Sequence, residues 1–518
     1  MRRNVIASSR DAGQTRAVDR IGIPISIAAL SIWLIMWLWT TRNYQLDDSF
    51  ITLCYARNVL ENGHFGFNSM QTSFGASSPL YSLLVAILYR PLDLFATKTL
   101  SVASYLLLVG LTVCLAVRAK RDDIARLFWL LTLVLSAPIG IRWLTDGMET
   151  AGAALMGIAL GYVGVSVTTR PTTVARYLGL VVVGAVATLL RPEFAATIAA
   201  ASVAMVLLRL ARARKLGTVP FADAIGFAVR ESHLTLGCLF ALLVVGNLFG
   251  HLEPDTAIAK AVAEERLSAY EITNFARQFI VSGFFGLGLV TVWLVTFWSI
   301  IWKPSDTIWP HALVNLVFPA LALLAIARGQ VIAVRYFVPI LMFAISWNLG
   351  LLVLTGTRVR APNRFLSRPV LGAFVILLIV EFAFEGFLFH RLAKQNSDVV
   401  AEMRSQNLAE LAGQQGSATE VGYIGYFTHG QICDVAGLIN GHDFASLDSE
   451  RRAKICASRK PQFTFFAGYE EHQMSRYMKL DDLKACHRYN IATLKGDEWY
   501  TLRTSREWQQ KVCGNTTD

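Results

Sequence analysis

Residues Ile21 to Ile51 read IGIPISIAALSIWLIMWLWTTRNYQLDDSFI and indicate a membrane helix followed by a pair of acids. The first part of this stretch, Ile21 to Trp39, is about long enough to cross a bilayer, which takes roughly 20 apolar residues. Asp47 and Asp48 follow a few residues later, where the end of such a helix would meet water. Two adjacent acids are most often a solvated loop, so their meaning depends on where the other acids at helix ends fall.

Composition places most of the chain in a membrane. The 518 residues are 54% hydrophobic and only 16% charged, whereas a soluble domain has about 25% charged residues. Long apolar runs recur between 21 and 389, and they must be helices because lipid cannot satisfy exposed backbone groups. The polar stretch 390–518 has no spanning run. We therefore predict an all-α polytopic membrane domain over 21–389 and a separate soluble domain of α/β type over 390–518.

Basic residues orient the predicted helices. Loops rich in arginine and lysine stay in the cytoplasm, which also accounts for the net charge of +11 without a nucleic-acid partner. Residues 1–20 hold five arginines and are predicted to be cytoplasmic, before an uncleaved anchor with no small-residue cleavage site. Residues 42–98 form the first external loop, with 79–89 as a short juxtamembrane or re-entrant helix. If 79–89 spans instead, every later side reverses. The 11 predicted spans are about 21–40, 99–117, 125–144, 150–167, 177–190, 194–208, 233–249, 279–301, 308–327, 336–355 and 370–389.

Four cysteines in the polar tail support an external location for it. Disulfides persist in oxidising compartments, and an even number of cysteines in an external domain suggests a disulfide framework. Four cysteines allow three pairings, of which locality favours Cys433–Cys456 and Cys486–Cys513. Cys54 is predicted to be external and unpaired.

On this topology, acids at helix ends all fall on the external side. They are Asp47, Asp48, Asp146, Glu149, Glu193 and Asp255. Basic residues accompany them against the positive-inside trend, namely Arg142, Arg191, Lys260, Arg328 and Arg335. Acids near membrane helix ends are usually functional when they face a cavity, and arginine and lysine bind phosphate. The set predicts an external groove that combines carboxylates with cations for a phosphate.

Each of these residues also has an ordinary structural interpretation. Glu149 can favour a helix dipole, Arg191 can snorkel to the interface, Lys260 can be a solvated loop charge, and Arg335 can be an interfacial anchor. The joint placement on one side carries the functional interpretation. The chain has no phosphate-binding loop, dinucleotide fingerprint or paired-cysteine zinc site. Its histidines are scattered, which argues against a histidine metal site, and a divalent cation at the acids is left open.

This charge pattern fits a transferase that acts on a lipid-phosphate donor. The acceptor hydroxyl must lose a proton, which an aspartate can accept. The departing phosphate gains charge, which the cations stabilise. A transporter or flippase of a lipid-linked sugar is the alternative. It predicts charges near the middle of the membrane and two related halves, neither of which this sequence shows.

Several ordered motifs resemble GT-C-type polyprenyl-phosphate-sugar glycosyltransferases, and most of all the bacterial terminal arabinofuranosyltransferases. The resemblance covers about residues 44–440. The motifs are Leu46-Asp47-Asp48-Ser49-Phe50-Ile51, Tyr55-Ala56-Arg57-Asn58, Ser77-Ser78-Pro79-Leu80, Asp146-Gly147-Met148-Glu149-Thr150, Leu190-Arg191-Pro192-Glu193, Pro254-Asp255-Thr256 with Ala259-Lys260, Arg335-Tyr336, Gly422-Tyr423-Ile424-Gly425-Tyr426 and Asp434-Val435-Ala436-Gly437-Leu438.

The resemblance implies a GT-C fold, an external active site and an inverting transfer. The donor would be a polyprenyl-phosphate-linked sugar, with arabinofuranose as the best candidate, and the acceptor an external glycan or lipid at a bacterial plasma membrane. The general base would be Asp47 or Asp48, with Asp47 favoured. Arg191, Lys260 and Arg335 would hold the donor phosphate.

The remaining acids, Asp146, Glu149, Glu193 and Asp255, would shape the groove or bind sugar hydroxyls. Two positions depart from the family pattern. Asp255 stands where asparagine is usual, and Cys54 where arginine is expected.

Overall fold

The computed structural model describes residues 24, 27–167, 173–216, 232–263, 283–301, 309–327, 334–354, 368–493 and 496–513. The predicted cytoplasmic segment 1–20 and Arg328 lie outside the described residues. Lys260 lies in a described helix, but its side chain is outside the described part.

Helices make up most of the described chain. They are α1 (Ile27–Thr40), α2 (Asp47–Glu61), α3 (Pro79–Leu92), α4 (Ala96–Arg118), α5 (Asp122–Leu135), α6 (Pro138–Leu144), α7 (Thr150–Val167), α8 (Val174–Leu190), α9 (Phe194–Leu216), α10 (His233–Phe249), α11 (Asp255–Ala263), α12 (Gly283–Ile301), α13 (Trp309–Ala327), α14 (Val338–Leu354), α15 (Arg368–Ser405), α16 (Val421–Thr428), α17 (His442–Ala445), α18 (Ser449–Ser458), α19 (Gly468–Met474) and α20 (Arg506–Cys513). A helix occupies each of the 11 positions predicted for spans.

Judged by length and composition, fewer helices qualify as membrane spans than the 11 that the sequence predicts. Within the described ranges, Pro79–Arg118 and Gly283–Ile301 are long and apolar enough to cross a membrane. The pair Asp122–Leu135 and Pro138–Leu144 adds a third if it is one bent span. Seven shorter apolar helices have 10–17 residues. The predicted total of about 11 spans is therefore not confirmed and stays a prediction.

Two predicted boundaries differ in the structure. The single helix expected over 125–144 is wrong, because α5 and α6 meet at 73°. Ala137 is extended at the break, as the ring of Pro138 disfavours a helical conformation in the residue before it. The boundary expected between 389 and 390 falls inside α15, which continues unbroken from the apolar domain into the polar one.

The polar tail folds around a five-stranded mixed sheet, so the small α/β-type domain expected there is present. Its strands are β1 (Gln415–Ala418), β2 (Gln431–Asp434), β3 (Phe463–Ala467), β4 (Lys484–Thr493) and β5 (Gly496–Thr504). The order is β2-β1-β3-β5-β4, with β1 parallel to β2 and β3 and the remaining pairs antiparallel. Disulfides join Cys433 to Cys456 and Cys486 to Cys513, which confirms the predicted pairing. Cys54 is free, as expected.

The domain of the polar tail, named the external domain after its predicted location, packs directly on residues 42–98. The Phe50 ring of α2 lies 4.7 Å from the Tyr423 ring of α16. Arg57 Nη1 donates to the carbonyl of Tyr426 at 2.9 Å. The Asn68 amide pairs with both backbone groups of Ile432, accepting at 2.8 Å and donating at 3.0 Å. Because these groups are buried, separating the two regions would leave them unpaired.

Close helix packing fixes the segment that carries Arg335. On α7, a Cβ added at Gly157 would lie 2.4 Å from the carbonyl oxygen of Pro339 on α14. Glycine therefore lets the two backbones touch, as small residues commonly do between membrane helices. The short 3-10 turn Val334–Tyr336 leads directly into α14. The position of Arg335 is thus set by the α7–α14 contact.

Candidate active site

A cavity of about 450 Å³ opens between α2, the ends of the apolar helices and the external domain. Its polar lining includes Asp48, Ser77, Arg191, Glu193 and Tyr336. Its apolar lining includes Ala195, Ala196, Leu321, Leu324 and Ile340. Such a mixed lining suits a ligand that has both a charged part and a hydrocarbon part.

Asp48 and Asp146 meet at one guanidinium group. Arg335 Nη2 lies 2.8 Å from Asp48 Oδ2, and Arg335 Nη1 lies 3.3 Å from Asp146 Oδ2. The Asp48 side chain is 40% exposed, whereas those of Arg335 and Asp146 are 13% and 1% exposed. Burial raises the pKa of Asp146 to about 6, against the opposing effects of Arg335 and the Met148 N–H. Asp48 is therefore the acid of this trio that faces the cavity.

Local backbone geometry explains why these acids meet. Asp48 lies in the first turn of α2, where acids favour the helix dipole. The Leu46 N–H donates to the Asp146 carbonyl at 3.2 Å, which ties the two loops together. Gly147 has φ +93°, and a Cβ there would come within 2.9 Å of Ser49. Glycine thus allows the turn that carries Asp146 to approach α2.

A second arginine gathers two of the predicted glutamates. Arg191 Nε lies 3.1 Å from Glu149 Oε1, and Arg191 Nη1 lies 3.3 Å from Glu193 Oε1. Helix α8 ends at Leu190, because Arg191 precedes Pro192 and is extended. That early end turns the guanidinium toward Glu149 beneath the cavity.

Tyr336 links the two arginine groups. Its ring lies 5.4 Å from the Arg191 guanidinium carbon and 5.3 Å from that of Arg335, within the range of cation–π contact. From the sequence alone, the Arg335-Tyr336 pair also fitted an interfacial anchor. The structure instead places Tyr336 in the cavity lining and Arg335 against Asp48, which lines the cavity.

Asp47 points away from the cavity, toward the external domain. Its carboxylate accepts hydrogen bonds from the backbone N–H groups of Gly422 at 2.9 Å and Tyr423 at 2.7 Å. These are first-turn groups of α16, so Asp47 caps that helix and meets the positive end of its dipole. Burial raises the pKa of Asp47 to about 6, opposed by the two N–H groups.

Asp255 also lies outside the cavity, although Pro254 and Thr256 line it. The Asp255 side chain is buried and accepts from the Phe74 N–H at 2.9 Å through Oδ2. Burial raises its pKa, against the effects of Phe74 N–H and His251. The groove role predicted for Asp255 is therefore indirect, through the loop that it holds. The side chain of Lys260 lies outside the described part.

Sequence reasoning missed Lys98, which sits beneath the acids. Its ammonium group is buried and donates to the carbonyls of Tyr44, at 3.0 Å, and Thr145. It also lowers the pKa of Asp146. Lys98 occupies the first turn of α4, where a single lysine in the sequence gives no signal of a role.

The arrangement can support proton transfer beside a phosphate. A half-exposed carboxylate at a cavity wall can accept a proton from a hydroxyl within reach. Guanidinium groups provide several N–H donors in fixed directions, which suits phosphate oxygens.

Comparisons of the chain with known proteins bear on the fold. No protein-family model matches the sequence, and no curated protein matches it. Among solved structures, ArnT from Cupriavidus metallidurans in the apo state matches with a TM-score of 0.52 at 12% identity, covering 93% of this chain and 97% of that chain. An Archaeoglobus fulgidus oligosaccharyltransferase in complex with Zn and sulfate matches with a TM-score of 0.43 at 10% identity, covering 94% and 76%.

The likeness to ArnT extends over nearly the whole of both chains. At 12% identity it concerns the fold, and it confirms the GT-C fold implied by the sequence motifs.

Proposed function

We propose that this chain is an integral-membrane glycosyltransferase that moves a sugar from a polyprenyl-phosphate donor to an external glycan or lipid, with inversion at the sugar. The observation that carries the proposal is the cavity, whose lining combines Asp48 and Arg191 with apolar side chains, while Arg335 pairs with Asp48. The shared fold supports it, since ArnT is a GT-C glycosyltransferase. Arabinofuranose is the proposed sugar on the resemblance of the sequence motifs alone.

We assign the general base to Asp48 rather than to Asp47. Asp48 lines the cavity, whereas both Asp47 oxygens are committed to backbone N–H groups of the external domain. In the proposed step, the acceptor hydroxyl gives its proton to Asp48 as its oxygen attacks the anomeric carbon. The bond from that carbon to the phosphate oxygen breaks, and the polyprenyl phosphate leaves with the electron pair.

Arg191 and Arg335 are proposed to hold the leaving phosphate. Each already contacts two carboxylates, so the donor must share these guanidinium groups with Glu149, Glu193, Asp48 and Asp146. The phosphate therefore needs a further positive charge, and we propose that Lys260 supplies it. Glu149 and Glu193 then serve to orient Arg191, and Asp146 to orient Arg335.

The test is an assay of the purified chain with a radiolabelled polyprenyl-phosphate arabinofuranose donor and an arabinan acceptor. We expect labelled acceptor and an equal amount of free polyprenyl phosphate. Asp481→Asn, at an exposed site in the external domain, is the matched control and should retain activity. A protein that moves the intact donor across a proteoliposome membrane without cleaving it would be a transporter, and the proposal would be wrong.

A further inference from the structure

Two histidines and an aspartate converge outside the cavity. One ligand atom each from His251, Asp255 and His442 lies within 4.8 Å of the others. His251 and Asp255 belong to the segment after α10, whereas His442 opens α17 in the external domain. The rings of His251 and His442 are 4.3 Å apart between centroids. The fold thus brings together side chains that look scattered in the sequence.

Hydrogen bonding determines which atom of His251 faces the aspartate. His251 Nδ1 lies 2.7 Å from the carbonyl oxygen of Glu253. A carbonyl only accepts, so Nδ1 carries the hydrogen, and the neutral ring then presents the lone pair of Nε2. That lone pair lies 3.4 Å from Asp255 Oδ1. Two electron-pair donors therefore face each other.

Asp255 contributes an oxygen that lacks a hydrogen-bond donor. Oδ2 accepts from the Phe74 N–H. Within the described residues, Oδ1 is buried and has no hydrogen bond of good geometry, although the Gly441 N–H is near enough to this carboxylate to lower its pKa. Buried polar atoms are nearly always satisfied, so an unsatisfied carboxylate oxygen beside an imidazole lone pair calls for a cation.

The geometry points to a divalent transition-metal site, and we propose that His251, Asp255 and His442 bind an ion of the zinc class. Zinc takes nitrogen ligands at about 2.0–2.1 Å in tetrahedral geometry, which places two ligands about 3.3 Å apart. The observed 3.4 Å between Nε2 and Oδ1 fits that spacing. The His442 ring is exposed and can close the remaining distance by side-chain rotation. Water completes the fourth position.

The proposed ion would hold the cavity wall rather than take part in sugar transfer. Asp255 exchanges two hydrogen bonds with Phe74, whose neighbour Gly75 lines the cavity. His442 lies at the end of the loop that begins after Leu438, and Leu438 also lines the cavity. The Glu253 carbonyl orients His251 as outer-shell partners of metal-bound histidines usually do. One ion would therefore fasten three segments across the boundary with the external domain.

The test uses the full chain in detergent, stripped with a chelator and titrated at neutral pH with Zn²⁺ alone. We expect one equivalent to bind, and we expect Co²⁺ to give the visible absorption of a four-coordinate ion. His442→Gln should weaken Zn²⁺ binding by about 100-fold or more, since even outer-shell changes cost 10–100-fold. His472→Gln, at another exposed histidine of the external domain, should change nothing.

His251→Gln provides a second variant with the same expected loss. His251 is separate from the proposed base and from the two arginines. A negative zinc titration would therefore not bear on the transferase assay. Two results would overturn the site: no Zn²⁺ uptake by the wild-type chain, or equal affinity in the wild type and in both variants.

Discussion

The two faces of helix α2 show how one short segment serves two different purposes. On one face, Asp47, Phe50 and Arg57 contact α16 of the external domain. On the other, Asp48 and Ile51 line the cavity. Successive residues of a helix are about 100° apart around its axis, so adjacent aspartates point to different neighbours. The pair Asp47-Asp48 therefore combines one acid bound to the external domain with one acid exposed at the cavity.

The largest effect is expected from Asp48→Asn. Asparagine keeps the shape but cannot accept the proton, so we expect the transfer rate to fall by about 10²–10⁴-fold, the usual contribution of a general base. Donor binding should persist. The measurement is the initial rate of polyprenyl-phosphate release, with the fold checked by size exclusion. If Asp48→Asn turns over at near wild-type rate while Asp47→Asn is dead and folded, the two roles are reversed.

The next largest effect is expected at Arg335, which holds Asp48 in place. Arg335→Gln removes the charge between Asp48 and Asp146 and should reduce the transfer rate by about 10²–10³-fold, as for other groups that stabilise developing charge. Arg335→Lys keeps the charge but loses the contact with both carboxylates, so its transfer rate should lie between those of the wild type and Arg335→Gln. The matched control is Arg451→Gln, at an exposed ion pair of the external domain. An unchanged rate in Arg335→Gln would remove this residue from the site.

The positions of the helices and both disulfides could be predicted from the sequence, because each depends on local pattern. Apolar runs mark helices, and the cysteine pairs are 23 and 27 residues apart. The different roles of Asp47 and Asp48 could not be predicted from the sequence. It is decided by Gly422 and Tyr423, more than 370 residues further along the chain.

The same reason explains two other differences. The bend between α5 and α6 left a continuous apolar pattern in the sequence, and only Pro138 hinted at it. The histidine cluster was hidden because His442 reaches His251 only through the docking of the external domain. The spacing of His251 and Asp255, four residues apart, was the available signal.

A smaller and different effect is expected from Asp47→Ala. The change leaves two buried backbone N–H groups at the start of α16 without their acceptor, and an unsatisfied buried donor costs about 1–3 kcal/mol. We expect docking of the external domain to weaken by about that amount. The measurement is protease sensitivity of the junction with the external domain in mild denaturant. The transfer rate of the intact protein should fall much less than in Asp48→Asn, and an equal fall with unchanged docking would contradict the structural role.

The smallest effects concern pH, and they set activity against stability. Burial raises the pKa of Asp146 to about 6, and that of Asp47 to a similar value. Their pKa in the unfolded chain is about 3.9, so the folded chain binds more protons between these values. The contribution of both groups to stability is therefore fully present below about pH 4 and is lost as the pH rises through about 6.

Activity should move in the opposite direction over the same interval. Protonated Asp146 no longer holds Arg335 by charge, so we expect the transfer rate to fall as the pH drops below about 6, by up to about tenfold per unit. The Asp47→Asn variant should keep this fall in transfer rate below about pH 6. It should lose the contribution of Asp47 to the pH dependence of stability. The Asp146→Asn variant should have a lower transfer rate than the wild type, and its fall in rate below about pH 6 should be shifted or absent. The opposite result, in which Asp47→Asn abolishes the fall in rate and Asp146→Asn keeps it, would mean that the face of α2 toward the external domain controls the chemistry.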